Sequence, residues 1–173
     1  MSYIGKLFKT GAIRETPKSV IKAIVDEVDG TAKINIVEFG AGKGEITMAL
    51  LGEKDISIEC IYAFELDESL GKDLQSLSPK LEVHYEDAFE FDKWIPADAA
   101  VGYFICAIPL SFYSSKKIKP FLLAMNERLE PGGKIVIIFN AFWLGRLFRK
   151  VFSAGVLRIF ATFPVYFLWK RVK

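Results

Sequence analysis

Residues 34–47 read INIVEFGAGKGEIT, and this stretch decides the fold. An apolar strand pattern runs into the acid Glu38, and the alternating glycines Gly40, Gly42 and Gly44 follow before a helical pattern begins. Glycine permits backbone dihedrals and a close approach that a side chain would block, and a helix N-terminus presents free backbone N–H groups. The stretch therefore predicts a strand, loop and helix that hold a nucleotide-type cofactor against bare backbone.

The residues around the glycines separate three kinds of cofactor loop. A phosphate-binding loop has Gly-Lys followed by Ser or Thr, whereas Lys43 is followed by Gly44. A dinucleotide loop ends in Gly or Ala at the position that Glu45 occupies. The stretch from Glu38 instead resembles motif I of the class I S-adenosylmethionine (SAM)-dependent methyltransferases. The resemblance implies that the glycine loop, with Ala41, passes the methionine part of SAM and that Glu38 helps to hold its ammonium group.

A second acid follows the next apolar run. Glu65 ends the run SIECIYAF, twenty-one residues after Gly44. An acid at this spacing, at the end of the second strand, is placed to accept hydrogen bonds from ribose hydroxyls. The alternative is that Glu65, with Asp67 and Glu68, begins a solvated helix. We favour the ribose role for Glu65, because it alone directly follows the apolar run.

A third strand pattern, LEVHY, begins at Leu81 and is followed by Glu86, Asp87 and Ala88. In the methyltransferases that motif I resembles, an acid at this place contacts the adenine amino group, and we choose Asp87 for that role. A single Asp after a short strand also forms turns and caps helices, so this alternative stays open.

Length and composition indicate one domain over residues 1–173, with enough chain for a sizeable core. The chain has 51% hydrophobic residues, so we expect part of its apolar surface to contact something other than water. Cys60 and Cys106 lie in apolar runs without metal-ligand spacing, and we interpret them as buried thiols of a reducing compartment. His84, the only histidine, is expected to be structural, so neither His-based catalysis nor a metal site is predicted.

Membrane insertion is not expected from the sequence. The N-terminus lacks the apolar core and cleavage pattern of a signal peptide. The most hydrophobic run, residues 154–169, is short for a span and contains Arg158 and Pro164, so two terminal strands explain it better. We therefore expect a cytoplasmic protein, with peripheral contact to the inner face of the membrane as a further hypothesis.

Charge is divided unevenly along the chain. Residues 1–14 hold three basic residues and no acid, and residues 131–173 hold eight basic residues and no acid. Residues 15–130 hold all 21 acids against twelve basic residues. Basic ends indicate an anionic partner, either phospholipid headgroups or nucleic-acid phosphates. The alternative is a folded surface on which both signs of charge intermix.

The neighbours of these basic residues favour lipid. Around residues 141–152, apolar residues recur with helical spacing while Arg146, Arg149 and Lys150 occupy other faces, and residues 1–14 carry a shorter stripe of this kind. Basic residues beside bulky apolar ones suit a helix at a membrane interface. For residues 141–152 we nevertheless favour packing of the apolar face on the core, with membrane contact as the alternative. For residues 1–14 neither interpretation is preferred.

The order of the patterns predicts an α/β, Rossmann-like fold with a mostly parallel, seven-stranded sheet, helices on both faces and an antiparallel C-terminal strand. Thr16 and Pro17 are expected to open a helix that continues through Val28. Strands are predicted near residues 34–39, 57–65, 81–85, 99–106, 134–139, 156–161 and 164–171, with further helices after the first, second and fourth strands and from Ala141.

From end to end the chain resembles the bacterial phospholipid N-methyltransferases, which are related to the ribosomal RNA adenine dimethylases. The resemblance is carried by residues 8–20, 38–47, 63–70, 87–88, 107–110 and 163–170. The segment 63–70 corresponds to the ribose-binding segment and includes Leu66, and Asp87-Ala88 corresponds to the adenine segment. That family commonly has Pro-Ser-Ser where this chain has Glu15-Thr16-Pro17, so the hydroxyl contact to the cofactor rests on Thr16.

The resemblance implies methyl transfer from SAM to an amine such as that of phosphatidylethanolamine. The backbone of Cys106, Ala107 and Ile108, followed by Pro109, is expected to face the methyl group. Tyr113, and also Tyr3, are candidate aromatic neighbours for an ammonium product.

Other acceptors are weighed against the phospholipid. Enzymes that methylate adenine usually place Asn or Asp before Pro-Pro or Leu-Pro and then an aromatic residue, and residues 106–110, CAIPL, lack both features. Nucleic acid is therefore the less favoured partner. A small-molecule acceptor and a non-enzymatic, membrane-associated protein remain as alternatives.

Overall fold

Seven strands form a single sheet, and their order in space is β3-β2-β1-β4-β5-β7-β6. The computed structural model describes residues 15–31, 34–54, 56–77 and 79–173, so the N-terminal segment expected to contact a membrane, with Tyr3, lies outside the described residues. The strands are β1 (Asn35–Phe39), β2 (Ile61–Phe64), β3 (Glu82–His84), β4 (Val101–Cys106), β5 (Leu129–Phe139), β6 (Val156–Phe160) and β7 (Tyr166–Val172).

The directions of the strands confirm the predicted Rossmann-like class. Strands β1 to β5 are parallel to one another, whereas β7 is antiparallel to both β5 and β6. The hydrophobic run 154–169 forms β6 and most of β7, as expected for two terminal strands. Within the described residues, no helix is both long and apolar enough to cross a membrane.

Within the described residues, five α-helices cover the two faces: α1 (Lys18–Val25), α2 (Glu45–Lys54), α3 (Glu68–Leu77), α4 (Ser115–Arg128) and α5 (Leu144–Phe152). The prediction for α1 was wrong at both ends. Pro17, not Thr16, occupies the cap position, and no side chain caps the helix. The helix ends at Val25 because the bond from Val28 N–H to the Val25 carbonyl (3.1 Å) spans three residues and tightens the turn.

Phe39 is the centre of the core on one face. Its ring lies 5.4 Å from that of Phe64, 5.2 Å from Phe91 and 5.1 Å from Phe121 between centroids. Burial of each such side chain contributes roughly 1.5–3 kcal/mol to stability. Because Phe39 is the last residue of β1, this cluster supports the loop that follows it.

The second core cluster lies on the opposite face and joins α1, α2 and α3 to the sheet. It contains Ile24, Leu50 and Leu74, all fully buried, packed with Ile36 and Ile105. Together with α4 and α5 on the first face, these helices give the predicted arrangement of helices on both faces. The carboxyl ends of β1, β2 and β4 are therefore held between two packed layers.

The helix predicted from Ala141 begins at Leu144, after a turn that joins Leu144 N–H to the Ala141 carbonyl (3.0 Å). Its apolar residues Leu144, Phe148 and Phe152 are buried, which confirms core packing as the role of this face. Arg146, with Arg149 and Lys150, is exposed on the opposite side of the helix.

The two cysteines and the histidine differ in their surroundings. Cys106 is fully buried as predicted, whereas Cys60 is only half-buried, because it ends a short 3₁₀ turn (Ile58–Cys60) before β2 begins. His84 stacks on Phe64 with 4.6 Å between the ring centroids, in keeping with a structural role. No cluster of His, Cys, Asp or Glu in the described residues is arranged to hold a metal ion.

Candidate functional site

The glycine loop crosses the carboxyl end of β2. Gly40 N–H and Ala41 N–H both donate to the Phe64 carbonyl, at 2.8 and 3.1 Å. Gly42 has a φ of +56°, in the region that L-residues rarely adopt, and a Cβ built there would meet no atom within 4 Å. At Gly40 a Cβ would lie 2.9 Å from Ile108 Cγ2, so only glycine lets the loop approach the segment after β4 this closely.

Three adjoining cavities lie at the carboxyl ends of the strands. The loop cavity (about 420 Å³) is bordered by the glycine loop, the strand-end cavity (about 60 Å³) by Glu65 and Asp87, and the hairpin cavity (about 330 Å³) by Pro164 and Tyr166. Ala107 borders all three cavities. A molecule that extends from the loop cavity past Ala107 therefore faces a second molecule in the hairpin cavity.

The Glu38 carboxyl group borders the loop cavity and is itself fully buried. Its Oε2 accepts a hydrogen bond from Thr47 Oγ1 (2.5 Å), whereas Oε1 has no partner among the described residues. Burial raises the pKa of Glu38 to about 7. A buried oxygen without a partner is costly, so this atom is suited to accept a hydrogen bond from a cationic ligand group.

Glu65 links the glycine loop to the end of β2. Its Oε2 accepts from Gly42 N–H and its Oε1 from Asp67 N–H, both at 2.8 Å. The side chain is buried, and burial raises the pKa of its carboxyl group. Asp67, in turn, caps α3 by accepting from Ser69 N–H (2.9 Å), so the expected helix begins at Glu68 but does not use Glu65 as its cap.

Asp87 borders the strand-end cavity, together with Leu66 and Ala88. Its Oδ1 accepts from Phe89 N–H (3.1 Å), which caps the 3₁₀ turn Ala88–Lys93, so the alternative of a turn-forming Asp is observed. Its Oδ2 pairs with Lys117 Nζ at 3.0 Å. Asp87 borders the strand-end cavity while it makes both interactions. Its role as a cap is therefore compatible with contact to a ligand in this cavity.

Lys117 was not identified from the sequence. Its Nζ lies 4.2 Å from the Phe89 ring centroid and 4.9 Å from that of Tyr113, in addition to its ion pair with Asp87. Thirty residues separate Lys117 from Asp87, and no pattern in the chain marks such a pair. The fold brings them together because α4 follows β4 and packs beside the 3₁₀ turn after β3.

Thr16 lies where the loop cavity and the hairpin cavity meet, and it borders both. Its backbone N–H donates to Glu45 Oε2 at 3.2 Å, which ties the start of α1 to the start of α2. Glu45 also borders the loop cavity and was named only as a mismatch to the dinucleotide pattern. The structure therefore places Thr16 beside the glycine loop, although the residue does not cap α1.

The segment after β4 forms the wall between the cavities. Ala107 N–H donates to the Phe39 carbonyl (2.9 Å), and Ile108 and Pro109 border both the strand-end and hairpin cavities. Cys106 was expected in this wall but borders none of the three cavities, because its side chain points into the core beside Phe39. Burial raises the pKa of the Cys106 thiol to about 12, so the group stays protonated.

Tyr113 borders the strand-end cavity rather than the hairpin cavity. Its ring is half-buried against Phe89, with 4.7 Å between centroids, and burial raises its pKa. The structure thus brings Tyr113 next to Asp87 and Lys117.

The hairpin cavity contains residues that the sequence did not reveal. Phe112, Asn140 and Tyr166 border it, and no charged side chain among the described residues does so. Asn140 Nδ2 donates to the Val165 carbonyl at 3.0 Å, so the loop after β5 is tied to the turn between β6 and β7. This arrangement depends on the antiparallel pairing of β5 with β7, which joins residues far apart in the chain.

Solved structures with this fold include several methyltransferases. A magnesium protoporphyrin IX methyltransferase from Synechocystis PCC 6803 with bound SAM superposes with a TM-score of 0.70 at 11% identity, over 100% of this chain and 85% of that one. A 1,6-didemethyltoxoflavin-N1-methyltransferase from Burkholderia thailandensis gives 0.72 at 14% identity, over 98% and 85%. An RNA methyltransferase from Salinibacter ruber gives 0.61 at 21% identity, over 92% and 93%. At these identities the similarity establishes the fold.

Sequence comparison establishes the family. No curated protein sequence matches the chain. The family model described as ribosomal RNA adenine dimethylase, however, matches residues 13–125. Those residues include the glycine loop, Glu65, Asp87 and the wall after β4. Because the match spans more than half of its length, the chain belongs to the ribosomal RNA adenine dimethylase family and is a SAM-dependent methyltransferase.

Proposed function

We propose that the chain transfers a methyl group from SAM to the primary amine of a phospholipid headgroup such as phosphatidylethanolamine. The observation that carries this proposal is the hairpin cavity, which adjoins the loop cavity at Ala107 and has no charged side chain among its described residues. An uncharged, mostly apolar environment lowers the pKa of an amine, because burial disfavours the ammonium form. The neutral amine is the form that can act as the nucleophile.

The loop cavity fits the methionine part of SAM. The open space above Gly42 accepts a ligand against bare backbone, and Gly40 and Ala41 border the same cavity. Gly44 was expected to contact SAM but does not border this cavity, and a Cβ there would lie 2.5 Å from Leu74 Cδ1, so its glycine allows close packing on α3. The unpartnered Oε1 of Glu38 is suited to the cationic ammonium group. Thr16 supplies a hydroxyl group at the end of this cavity that faces the acceptor.

The strand-end cavity fits the nucleoside part. Glu65 would accept hydrogen bonds from the ribose hydroxyls, with Leu66 exposed beside it. Asp87 would accept from the adenine amino group while Ala88 lies against the ring. The volume of about 60 Å³ is small for a base, so the strand-end cavity would have to widen when the nucleoside enters.

When bound, SAM supplies a methyl group on a positively charged sulfur that is already activated for transfer. The residues of the chain then contribute alignment and exclusion of water. Ala107, Ile108 and Pro109 form the wall along which the amine reaches the methyl carbon. Cys106 takes no part as a nucleophile, because its thiol is buried and protonated. The proton lost from the amine passes to water, because a backbone carbonyl of this wall can accept a hydrogen bond from the amine but is too weak a base to take its proton.

Ribosomal RNA adenine is the second candidate, and the family match favours it. Residues 106–110, CAIPL, nevertheless lack the amide that would hold the adenine amino group and the aromatic side chain that would stack on the base. A small-molecule acceptor is the third candidate. The non-enzymatic alternative is not retained, because the chain is a methyltransferase.

The proposal places the protein in the cytoplasm as one domain over residues 1–173, bound peripherally to the inner face of the membrane. Basic residues at 131–173, without any acid, provide attraction to anionic lipid headgroups. Residues 1–14 are proposed to add a second contact of the same kind.

Mass spectrometry of lipids tests the acceptor directly. The protein is incubated with SAM and with vesicles of phosphatidylethanolamine and phosphatidylglycerol, and with unmodified ribosomal RNA in parallel. Mass gains of methyl increments on the ethanolamine headgroup are expected, with none on the RNA. Methylation of adenine in the RNA and none of the lipid, with SAM binding verified in the same sample, would show that the acceptor assignment is wrong.

A further inference from the structure

Five exposed apolar side chains surround the mouth of the hairpin cavity, and we call them the apolar rim. They are Phe112, Phe142, Trp143, Phe163 and Val165, with exposed fractions of 52%, 72%, 44%, 88% and 43%. Phe112 borders the cavity itself, Phe142 and Trp143 lie between its lining residues Asn140 and Leu144, and Phe163 and Val165 flank its lining residue Pro164. Clustered apolar exposure of this kind marks an interaction surface.

Three separate segments of the chain bring the apolar rim together at one edge of the sheet. Phe139 pairs with Phe167, and Phe160 pairs with Tyr166, so the turn at residues 161–165 lies next to the loop after β5. The bond from Asn140 Nδ2 to the Val165 carbonyl (3.0 Å) fastens these two segments to each other. The apolar rim is therefore held in place by the sheet.

The chain around the apolar rim is basic. The segments that contribute it, residues 107–126 and 131–173, contain three and eight basic residues and no acid. The 21 acids belong to residues 15–130, and many of them follow β1, β2 and β3 on the other half of the sheet. Lys134, Lys170, Arg171 and Lys173, however, lie at the opposite end of the strands, where Lys134 and Lys170 pair with Glu27. The exposed cations nearer the apolar rim are Arg146, Arg149 and Lys150 on α5, and these complement an anionic surface.

The spacing along α5 brings Arg146 within the depth of a membrane interface. Helix α5 starts at the end of the strands that carries the apolar rim and runs back toward their other end. This direction follows because β6 starts at that other end, where Val156 pairs with Lys170. Arg146 follows Trp143 by three residues, or about 5 Å at the rise of a helix, and Arg149 and Lys150 lie about 10 Å from it. The headgroup region of one leaflet is about 5–8 Å deep. Aromatic side chains at the acyl boundary would therefore place Arg146 among the phosphates.

We infer that the apolar rim is the docking surface for a bilayer containing anionic phospholipids, and that docking turns the hairpin cavity toward the headgroups. This inference rests on the proposed lipid substrate and adds the surface that delivers it. Nucleic acid would also be attracted by the cations, but three of the five side chains are phenylalanines without a polar group and one is a valine. Such side chains gain more from an acyl boundary than from a solvated strand.

Vesicle binding tests the inference apart from methyl transfer. Vesicles of phosphatidylcholine and phosphatidylglycerol contain no primary amine, so binding to them does not require the proposed substrate. The combined variant Phe142→Ser and Phe163→Ser should bind them at least about tenfold more weakly than the wild type. Val156→Ser is the matched control, because Val156 is 60% exposed but lies at the opposite edge of the sheet. Its binding should stay within about twofold.

A charge variant separates the two contributions to docking. Arg146→Gln with Arg149→Gln and Lys150→Gln should weaken binding to the anionic vesicles by about tenfold or more at low salt, with no change on vesicles of phosphatidylcholine alone. Unchanged vesicle binding by the Phe142/Phe163 variant would overturn the inference. Equal losses of vesicle binding in that variant and in Val156→Ser would also overturn it. The inference would likewise fail if the Phe142/Phe163 variant lost binding to single-stranded RNA and kept its binding to vesicles.

Short-chain phosphatidylethanolamine distinguishes a failed docking surface from a failed substrate assignment. As a dissolved monomer it reaches the cavity without a bilayer, so the Phe142/Phe163 variant should methylate it at the wild-type rate while losing activity on vesicles. Wild-type activity of this variant on vesicles would overturn the inference and leave the substrate standing. No methylation of either form by the wild type would refute the substrate, whereas vesicle binding would still decide the docking surface.

Discussion

The backbone N–H of Gly42 donates a 2.8 Å hydrogen bond to Oε2 of Glu65. This bond joins the two sequence motifs that predicted a cofactor site, across 23 positions of the chain. Glu65 thus holds the glycine loop in position and is also the residue that we propose to bind the ribose. In the proposed binding mode, a ligand that binds Glu65 also acts on the loop that holds the rest of the ligand.

Replacement of Glu65 should therefore affect SAM affinity strongly. Glu65→Ala removes the acceptor for Gly42 N–H and for the ribose, and hydrogen bonds to a charged group contribute about 1.5–3 kcal/mol. We expect SAM to bind about tenfold to 100-fold more weakly by calorimetry. Glu68→Ala is the control, because Glu68 is exposed and pairs only with Lys72. Equal affinities of the two variants would contradict the role of Glu65.

The open space above Gly42 gives a second prediction. Gly42→Val would project its side chain into the loop cavity, and we expect SAM binding to fall below detection while the fold is retained. The positive φ itself costs an L-residue about 1–2 kcal/mol. Gly132→Val carries the same backbone cost, because Gly132 has a φ of +79° and open space around it, but it lies at the other end of the sheet.

These two glycine variants should unfold at similar temperatures and differ only in SAM binding. Thermal unfolding with and without SAM measures both properties in one experiment. A normal SAM-induced shift in Gly42→Val would show that the ligand lies elsewhere.

The raised pKa of Glu38 predicts how SAM affinity depends on pH. If the ionised carboxylate holds the cofactor's ammonium group, affinity should rise as Glu38 loses its proton, by about tenfold between pH 6 and pH 8 for a pKa of about 7. In Glu38→Gln this component should be absent. The measured quantity is the ratio, at each pH, of the SAM dissociation constants of the wild type and of Glu38→Gln. Titration of SAM itself affects both constants equally and cancels in this ratio.

The same pKa determines the pH dependence of stability without ligand. Because the folded protein raises the pKa of Glu38 from 4.5 to about 7, it binds more protons than the unfolded chain between these values. The free energy of unfolding should therefore fall as the pH rises through this window, by on the order of 3 kcal/mol relative to Glu38→Gln. A wild type that becomes more stable than the variant over this range would contradict burial as the cause.

The hairpin cavity is tested as the acceptor cavity by filling it. Ser111 borders this cavity and neither of the others. Ser111→Trp should slow methyl transfer to phosphatidylethanolamine at least about tenfold, because the amine is displaced from its line of approach. The dissociation constant of SAM should stay within about twofold. Ser115→Trp, on the exposed first turn of α4, is the control and should leave both unchanged. Loss of SAM binding in Ser111→Trp would contradict this assignment, because it would show that the hairpin cavity is also part of the SAM site.

The architecture was predictable because its signals are local. Strand, glycine loop and helix follow one another within residues 34–47, and the acids Glu65 and Asp87 each follow their strand. The end of α1 was not predictable, because Val28 keeps an apolar helical spacing while its hydrogen bond shortens to a 3₁₀ turn. Cys106 was misplaced because β4 is buried on both faces, so no alternation of polar residues shows which side chains face the core.

The residues that border the hairpin cavity, which we propose to hold the acceptor, could not be predicted from the sequence for a related reason. Asn140 and Tyr166 meet at the hairpin cavity only because β7 turns back beside β5, and Lys117 meets Asp87 only through the packing of α4. Such contacts join residues without any repeating pattern between them. The cofactor side, by contrast, is built from short segments that each carry their own glycine or acid.

The hydrogen bond from Ala107 N–H to the Phe39 carbonyl has a consequence for how this protein could change its target. It makes the wall that we propose to face the methyl group a direct extension of two neighbouring strands, Phe39 being paired with Cys106 in the centre of the sheet. In the proposed mechanism, the reaction geometry therefore depends on the buried centre of the sheet. The surfaces proposed to choose the acceptor, at residues 140–143 and 161–165, are loops on the perimeter, so a new substrate preference can arise there while the transfer step itself is conserved.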